Sequence, residues 1–145
     1  MSSANSDITF GDVAEGFSTR EDEIIEPGTV VVLNQHGLVR AGDEAYDKRV
    51  AGVVSGAGAY RPAIVLAKQR SEPSRLPVAL VGKVCCKVDA QYSPIEVGDL
   101  LTTSPTSGHA MKAVDPLKAF GSVIGKALRP MDAGQGMIPI LIALQ

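Results

Sequence analysis

Hydroxyl, imidazole and carboxyl groups occur together in the segment 99–109, which contains Asp99, Ser104, Ser107 and His109. A nucleophilic triad needs a serine hydroxyl within hydrogen-bond distance of a histidine that a carboxylate orients. A β-hairpin over this segment could bring these groups together. However, the G-x-S-x-G elbow of hydrolases is missing, and serine, threonine, proline and glycine are also typical of a polar hairpin turn. We therefore favour a turn, with catalysis by Ser104 and His109 as the alternative.

The other residues that could hold a metal ion or a phosphate lack the spacing that such sites need. His36 has no cysteine or acidic ligand pattern around it. The segment 56–58 lacks the third glycine of a dinucleotide loop, and 121–126 lacks the hydroxyl residue that follows the lysine of a phosphate loop. Cys85 and Cys86 are neighbours that a strand directs to opposite faces, so we expect reduced thiols. The sequence thus predicts no catalytic, cofactor-binding or metal-binding residues, and no enzyme.

The composition indicates one domain with many short strands. The 145 residues are 45% apolar, enough for one hydrophobic core. The chain has 15 glycines, 9 prolines and only 4% aromatic residues, a composition typical of strands joined by tight turns. Its net charge is −2 and no basic stripe is present, so the electrostatic attraction on which nucleic-acid binding depends is missing.

No segment is long and apolar enough to insert into a membrane. The longest apolar run, at residues 137–144, is far shorter than the roughly 20 residues of a membrane helix and contains Pro139. Residues 1–7 have neither the positive charge nor the apolar stretch of a signal peptide. We therefore expect synthesis in the cytoplasm, and a final place on a virion or particle surface stays open.

Alternating apolar residues bounded by glycine and proline predict at least seven strands and no helix longer than two turns. Pro27 and Gly28 form a turn signal before the β-branched run 29–33, which is typical of a buried strand. Period two predicts the inward-facing residues Val30, Val32, Val53, Val78, Leu80, Leu100, Ile124 and Ile140.

The chain divides into a short arm and a body. Residues 1–20 are mostly small and polar, and we interpret them as an arm that docks Phe10 and Phe17 on the body. Residues 21–145 then form a single all-β domain.

The order of motifs within that domain repeats. Four pairs of blocks follow the same order: 25–32 with 95–102, 37–40 with 108–112, 50–54 with 123–128, and 76–80 with 138–142. This match predicts an internal duplication of about 24–88 and 94–145. Two such units would close a small barrel or a β-clip with pseudo-twofold symmetry. A type II turn predicts positive φ at Gly28, at its counterpart Gly98, or at both.

A series of motifs covers nearly the whole chain: DVAEGF at 12–17, EPGTVVVL at 26–33, RVAGVVS at 49–55, PVALVGKV at 77–84, VGDLLTTS at 97–104, GHAMKA at 108–113 and VIGKAL at 123–128. In this order they resemble the β-rich terminal domain of phage tail-fibre-like and bacterial surface or adhesin-like proteins. A looser similarity is to small trimeric capsid-decoration proteins. The resemblance implies an oligomeric, often trimeric, structural module. Some related fibre ends are self-cleaving chaperone domains, but the resemblance does not place their catalytic residues on this sequence.

We therefore expect a non-enzymatic structural domain that self-assembles as the fibre tip, cap or decoration subunit of a phage-derived or surface particle. The expected partners are further copies of the chain, with a trimer favoured, and other subunits of the particle. Ile95, Met111, Leu117 and Phe120 are expected at a subunit contact, because they lie in turn-rich segments and methionine suits adaptable contact surfaces. The alternatives are a small autoprotease or hydrolase that uses the Ser104/His109 hairpin, and a ligand-binding barrel.

Overall fold

A computed structural model describes residues 9–20, 24–58, 60–66 and 75–145, which form ten strands and one short helix. The elements are β1 (Thr9–Ser18), β2 (Val30–Leu33), β3 (Val39–Ala41), β4 (Val50–Val54), β5 (Tyr60–Leu66), β6 (Arg75–Asp89), β7 (Leu100–Thr103), β8 (Ala110–Lys112), α1 (Pro116–Ala119), β9 (Val123–Ala127) and β10 (Gln135–Ala143). The prediction of a nearly all-β fold with at least seven strands is confirmed. Residues 1–8 of the predicted arm and the side chain of Phe10 lie outside the described part.

Five strands close a barrel, and the longest of them links it to the rest of the sheet. β6 pairs with β8 and β10, and the ring is completed by the pairs β8–β7, β7–β9 and β9–β10. β6 is 15 residues long, so its C-terminal half belongs to the barrel while its N-terminal half pairs with β1 and β4. β2 and β3 extend the sheet from β4, and β5 pairs with β1.

The first and second halves of the chain share one hydrogen-bonding pattern. β2, β3, β4 and the start of β6 form a first unit that corresponds to β7, β8, β9 and β10 in the second unit. A bulge interrupts the pairing between the second and third residues of both β2 and β7. In each unit, residues on neighbouring strands pair side by side and form rows. The row of Val30, Val53 and Ala79 in the first unit corresponds to the row of Leu100, Lys126 and Leu141 in the second. The pair Val54 and Val78 corresponds to the pair Ala127 and Ile140. The internal duplication stays a prediction, and these registers support it.

The turns that precede β2 and β7 are also alike. Gly28 and Gly98 have φ of 91° and 92°, as predicted for at least one of them. The N–H of Gly28 donates to the carbonyl of Val54, and that of Gly98 to the carbonyl of Ala127, both at 2.8 Å. Each turn is therefore tied to the crossing strand of its own unit.

Each unit surrounds its own hydrophobic core at corresponding positions. The first core contains Phe17, Ile25, Val31, Val39, Ala51, Val54, Leu76 and Val78. The corresponding positions in the second core are Cys86, Ile95, Leu101, Ala110, Ile124, Ala127, Ile138 and Ile140. Among the described strands no pairing joins β1 to β3, so the first unit stays open where the second is a closed barrel.

Six of the eight residues predicted to face inward are fully buried: Val30, Val32, Val53, Val78, Ile124 and Ile140. The prediction was wrong for Leu100, which is 38% exposed, because the next residue, Leu101, takes the inward position. Leu80 is only half-buried, since the β1–β6 register jumps from Val81 to Ala79 and leaves Leu80 in a bulge.

Candidate assembly surface

One helical turn between β8 and β9 places two large apolar side chains in solvent. The Asp115 carboxylate caps α1 by accepting hydrogen bonds from the N–H groups of Leu117 and Lys118 at 3.1 and 3.2 Å. Pro116 occupies the first turn, where its missing N–H costs no hydrogen bond. The side chains of Leu117 and Phe120 are 90% and 92% exposed. The sequence thus forms a defined turn that leaves both side chains uncovered.

Hydrogen bonds from other parts of the chain hold this turn in place. The Tyr46 hydroxyl oxygen accepts from the N–H groups of Val114 and Asp115 at 3.1 and 3.0 Å. At the other end, the buried Thr102 hydroxyl donates to the Ser122 carbonyl at 2.7 Å. The exposure of Leu117 and Phe120 is therefore a property of an anchored segment.

Two adjoining grooves extend this apolar surface across β7, β9 and β10. The first, of about 360 Å³, lies between Leu100, Pro116, Phe120 and Val123. The second, of about 230 Å³, shares Leu100 and Val123 and reaches Leu141. We call the surface formed by Leu100, Leu117, Phe120, Lys126 and Leu141 the open face. Exposed apolar side chains grouped in this way are typical of a contact site.

The structure separates the four residues predicted at a subunit contact into two groups. Leu117 and Phe120 belong to the open face. The prediction was wrong for Ile95 and Met111, which are 0% and 6% exposed. Ile95 packs in the barrel core with Met131, to which its backbone is bridged, and the local sequence pattern does not reveal this contact. Sequence reasoning also missed Leu141, whose place between the buried Ile140 and Ile142 signals an outward-facing residue.

The groups considered for nucleophilic catalysis lie on one hairpin but do not form a triad. Ser104 is fully buried, and its hydroxyl donates to the backbone carbonyl of His109 at 2.6 Å. The His109 imidazole lies 2.8 Å from the carbonyl of Ser107. Asp99 lies directly before the first residue of β7, at the opposite end of that strand from Ser104. There its carboxylate accepts a hydrogen bond from the N–H of Glu96 at 2.7 Å. In this arrangement the Ser104 hydroxyl stabilises the turn.

A buried carboxylate near the same hairpin forms the most extensive polar cluster of this region. Asp89 is fully buried and accepts hydrogen bonds from the N–H of Gln91 at 3.0 Å and the hydroxyl of Thr106 at 2.7 Å. The Tyr92 hydroxyl lies 2.7 Å from that of Thr106. Burial raises the pKa of Asp89, but hydrogen bonds from Gln91, Thr106 and Gln135 outweigh it, so the pKa lies below its ordinary value. The cluster joins the end of β6 to the β7–β8 turn.

The remaining candidate groups are placed as follows. Cys85 and Cys86 are reduced cysteines, and burial raises the pKa of Cys86, which keeps its thiol protonated. His36 lies in the exposed β2–β3 turn. Within the described ranges, no three histidine, cysteine, aspartate or glutamate side chains cluster as metal ligands. No helix of those ranges is long and apolar enough to cross a membrane.

Comparison with known proteins finds similarity at the level of the fold. No protein-family model matches the chain, and no curated protein does. The crystal structure of the C-terminal fragment of bacteriophage phi29 gene product 12 matches with a TM-score of 0.60 and 15% identity, over 91% of this chain and 100% of the fragment. The pre-mature gene product 12 matches with a TM-score of 0.62 and 15% identity, over 93% of this chain. This chain spans 22% of that protein's length.

A third solved structure, the N base of head fiber gp8.5 of the same phage, matches at a TM-score of 0.43 and 13% identity, over 91% of this chain and 89% of that one. The fold of this chain is thus similar to that of the gene product 12 fragment, and the resemblance to a phage β-domain that the motifs predicted is confirmed at the level of the fold.

Proposed function

We propose that this chain is a structural, self-assembling β-domain of a phage-derived or surface particle. The observation that carries the proposal is the match to the gene product 12 fragment, which extends over 91% of this chain and the whole of that fragment. A second observation supports assembly: hydrogen bonds anchor the turn that exposes Leu117 and Phe120. Burial of such side chains is the main driving force of protein association.

Within this role we favour a homotrimer that serves as a fibre tip, a cap or a decoration subunit. In all three roles, copies of the chain would associate with one another and with other subunits of the particle. Closed rotational symmetry satisfies an apolar contact in every copy and leaves none exposed at an end.

Light scattering of the purified chain at micromolar concentration tests the proposal. We expect a mass three times that of the 15.1 kDa chain. Changing Leu117→Asp and Phe120→Asp together should give a folded species of lower mass, because charged groups would have to be buried in the contact. The control is Ile24→Asp, a change at a 94% exposed residue outside the open face. A monomeric wild-type chain would contradict self-assembly.

The alternatives receive less support from the geometry. Buried side chains such as Leu101, Ile124 and Ile140 fill the barrel, which disfavours a ligand-binding barrel. For the autoprotease, we expect the wild type and the Ser104→Ala, His109→Ala double variant each to show the intact mass of its own sequence, with no cleavage product. The variant should lose about 1 kcal/mol of stability with the hydrogen bond from Ser104 to the His109 carbonyl. A cleavage product present only in the wild type would favour the autoprotease.

A further inference from the structure

In the first unit, one row of paired residues across three strands is covered by the second unit. Val30, Val53 and Ala79 pair side by side across β2, β4 and β6, and all three are 0% exposed. They belong to the same hydrophobic cluster as the barrel core. The N–H of Val30 also donates to the carbonyl of Gly108, in the β7–β8 turn, at 2.9 Å. The second unit therefore buries this row and hydrogen-bonds to its edge.

The corresponding row of the second unit is uncovered. Leu100, Lys126 and Leu141 pair across β7, β9 and β10 in the same register. Leu100 and Leu141 are 38% and 41% exposed, and Lys126 is exposed as well. This row forms the centre of the open face. The two rows thus share one register, but only the first has a neighbouring unit against it.

This difference constrains how the two units are related. A twofold relation would make each unit cover the row of the other, and both rows would be buried. The structure instead has a one-way relation, in which the second unit covers the first. If the second unit is covered in the same way as the first, a further unit lies against Leu100 and Leu141. Because the chain has two units, that further unit is the first unit of another copy.

We infer that the open face binds the first unit of a second copy, head to tail, in the way that the first unit's row is bound within the chain. The inference rests on the proposed self-assembly and specifies its interface. By correspondence, Gly37 takes the place of Gly108, since each precedes the return strand of its hairpin with φ of 77° and 71°. The β2–β3 turn of one copy, with His36 and Gly37, would then lie against Leu100 of the next.

The composition of the open face is compatible with such a contact. Lys126 lies between the two leucines, where its methylene groups can cover apolar surface while its ammonium group extends into water. Head-to-tail contacts close into a ring when the rotation between units permits it. In a ring of three copies, six equivalent units would alternate and every row would be covered, in agreement with the trimer favoured above.

Acidic substitutions in the row test the contact. Leu100→Glu and, separately, Leu141→Glu should each weaken association by roughly thirtyfold or more, as expected for a charge placed in a contact centre. Ile24→Glu is the control and should leave the mass unchanged. Circular dichroism shows whether each variant is folded. If the wild type is oligomeric and both folded variants keep its mass, the inference is overturned while self-assembly stands. If the wild type is monomeric, the proposed function fails with it.

Disulfide trapping distinguishes a head-to-tail contact from a twofold one. In a Cys85→Ser background, a chain with His36→Cys is mixed with a chain of different mass that carries Leu100→Cys. We expect a disulfide between the two kinds of chain and none in either chain alone. A crosslink between two Leu100→Cys chains would indicate a twofold contact and overturn the inference. The absence of any mixed disulfide in an oligomeric sample would overturn it as well.

Discussion

Two buried aspartates illustrate how the same side chain can stabilise or destabilise this fold. Asp89 accepts hydrogen bonds from a backbone N–H and a threonine hydroxyl. Asp12 in β1 is 3% exposed, accepts one hydrogen bond from the Ser55 hydroxyl at 3.1 Å, and leaves its Oδ2 atom without a partner among the described residues. Burial raises the pKa of Asp12, and the Ser55 bond offsets this only in part. The two carboxylates should therefore respond oppositely to pH.

Asp89→Asn should destabilise the protein at neutral pH. A carboxylate with a lowered pKa contributes stability above its unfolded-state pKa of about 3.9, and this contribution is lost as the pH falls through the folded-state pKa. The loss of charge-assisted hydrogen bonds should cost about 1.5–3 kcal/mol at pH 7. Urea unfolding at a series of pH values measures the difference, which should shrink below about pH 4. An equal deficit at pH 3 and pH 7 would contradict this assignment.

Asp12→Asn should stabilise the protein at neutral pH. Because the pKa of Asp12 is raised, the folded chain binds its proton more tightly than the unfolded chain. The stability of the fold therefore falls as the pH rises from the unfolded-state pKa of Asp12 through its folded-state pKa. Removal of the charge should yield a gain on the order of 1 kcal/mol at pH 7, which disappears under acidic conditions. Ser55→Ala is the opposite control, since it removes the one hydrogen bond that Asp12 accepts. A lower melting temperature for Asp12→Asn at pH 7 would refute the assignment.

At the scale of elements, close strand packing depends on glycine at equivalent places in the two units. A Cβ atom at Gly125 in β9 would collide with the backbone carbonyl of Leu141, and one at Gly52 in β4 with that of Ala79. Each carbonyl belongs to the neighbouring strand, so it cannot move away without disrupting the ladder. This shared restriction explains why both β4 and β9 carry glycine at that position.

Gly125→Ala should therefore lower the free energy of unfolding by about 1–3 kcal/mol, the usual cost of overpacking. Gly16→Ala in β1 is the matched control, because the nearest atoms to a Cβ atom there belong to the Arg75 side chain, at an ordinary 3.5 Å. That control should be neutral or slightly stabilising. Thermal unfolding of both variants measures the contrast, and equal effects would show that the steric explanation is wrong.

Sequence patterns predicted the elements that local chemistry determines. The β-branched run at β2 and the turns at Gly28 and Gly98 follow from residue type and spacing. Two consecutive leucines, Leu100 and Leu101, gave no local indication of which one faces inward. The burial of Ile95 depends on a partner far along the chain, Met131. For the same reason the open face was predicted only in part.

In the molecule as a whole, the two units are in direct contact through backbone hydrogen bonds, in addition to being connected by β6. Backbone bonds cross it from Val30 to Gly108, from Lys87 to Gly28 and from Gly108 to Gly42, at 2.7–2.9 Å. Because the first unit is an open version of the barrel, it lacks the closure that would stabilise it alone. We therefore expect the two units to unfold in one cooperative transition.

Hydrogen exchange of two equivalent amides tests this cooperativity. The N–H of Val54 donates to Thr29 in the first unit, and that of Ala127 donates to Asp99 in the second, both at 2.9 Å. In a single cooperative unit both amides exchange by global opening, with equal free energies. Val53→Ala, at the covered row, should lower both values equally, by about 2 kcal/mol, since it removes buried methyl groups between the units. If only the amide of Val54 lost protection, the units would be opening independently and the boundary would contribute little to stability.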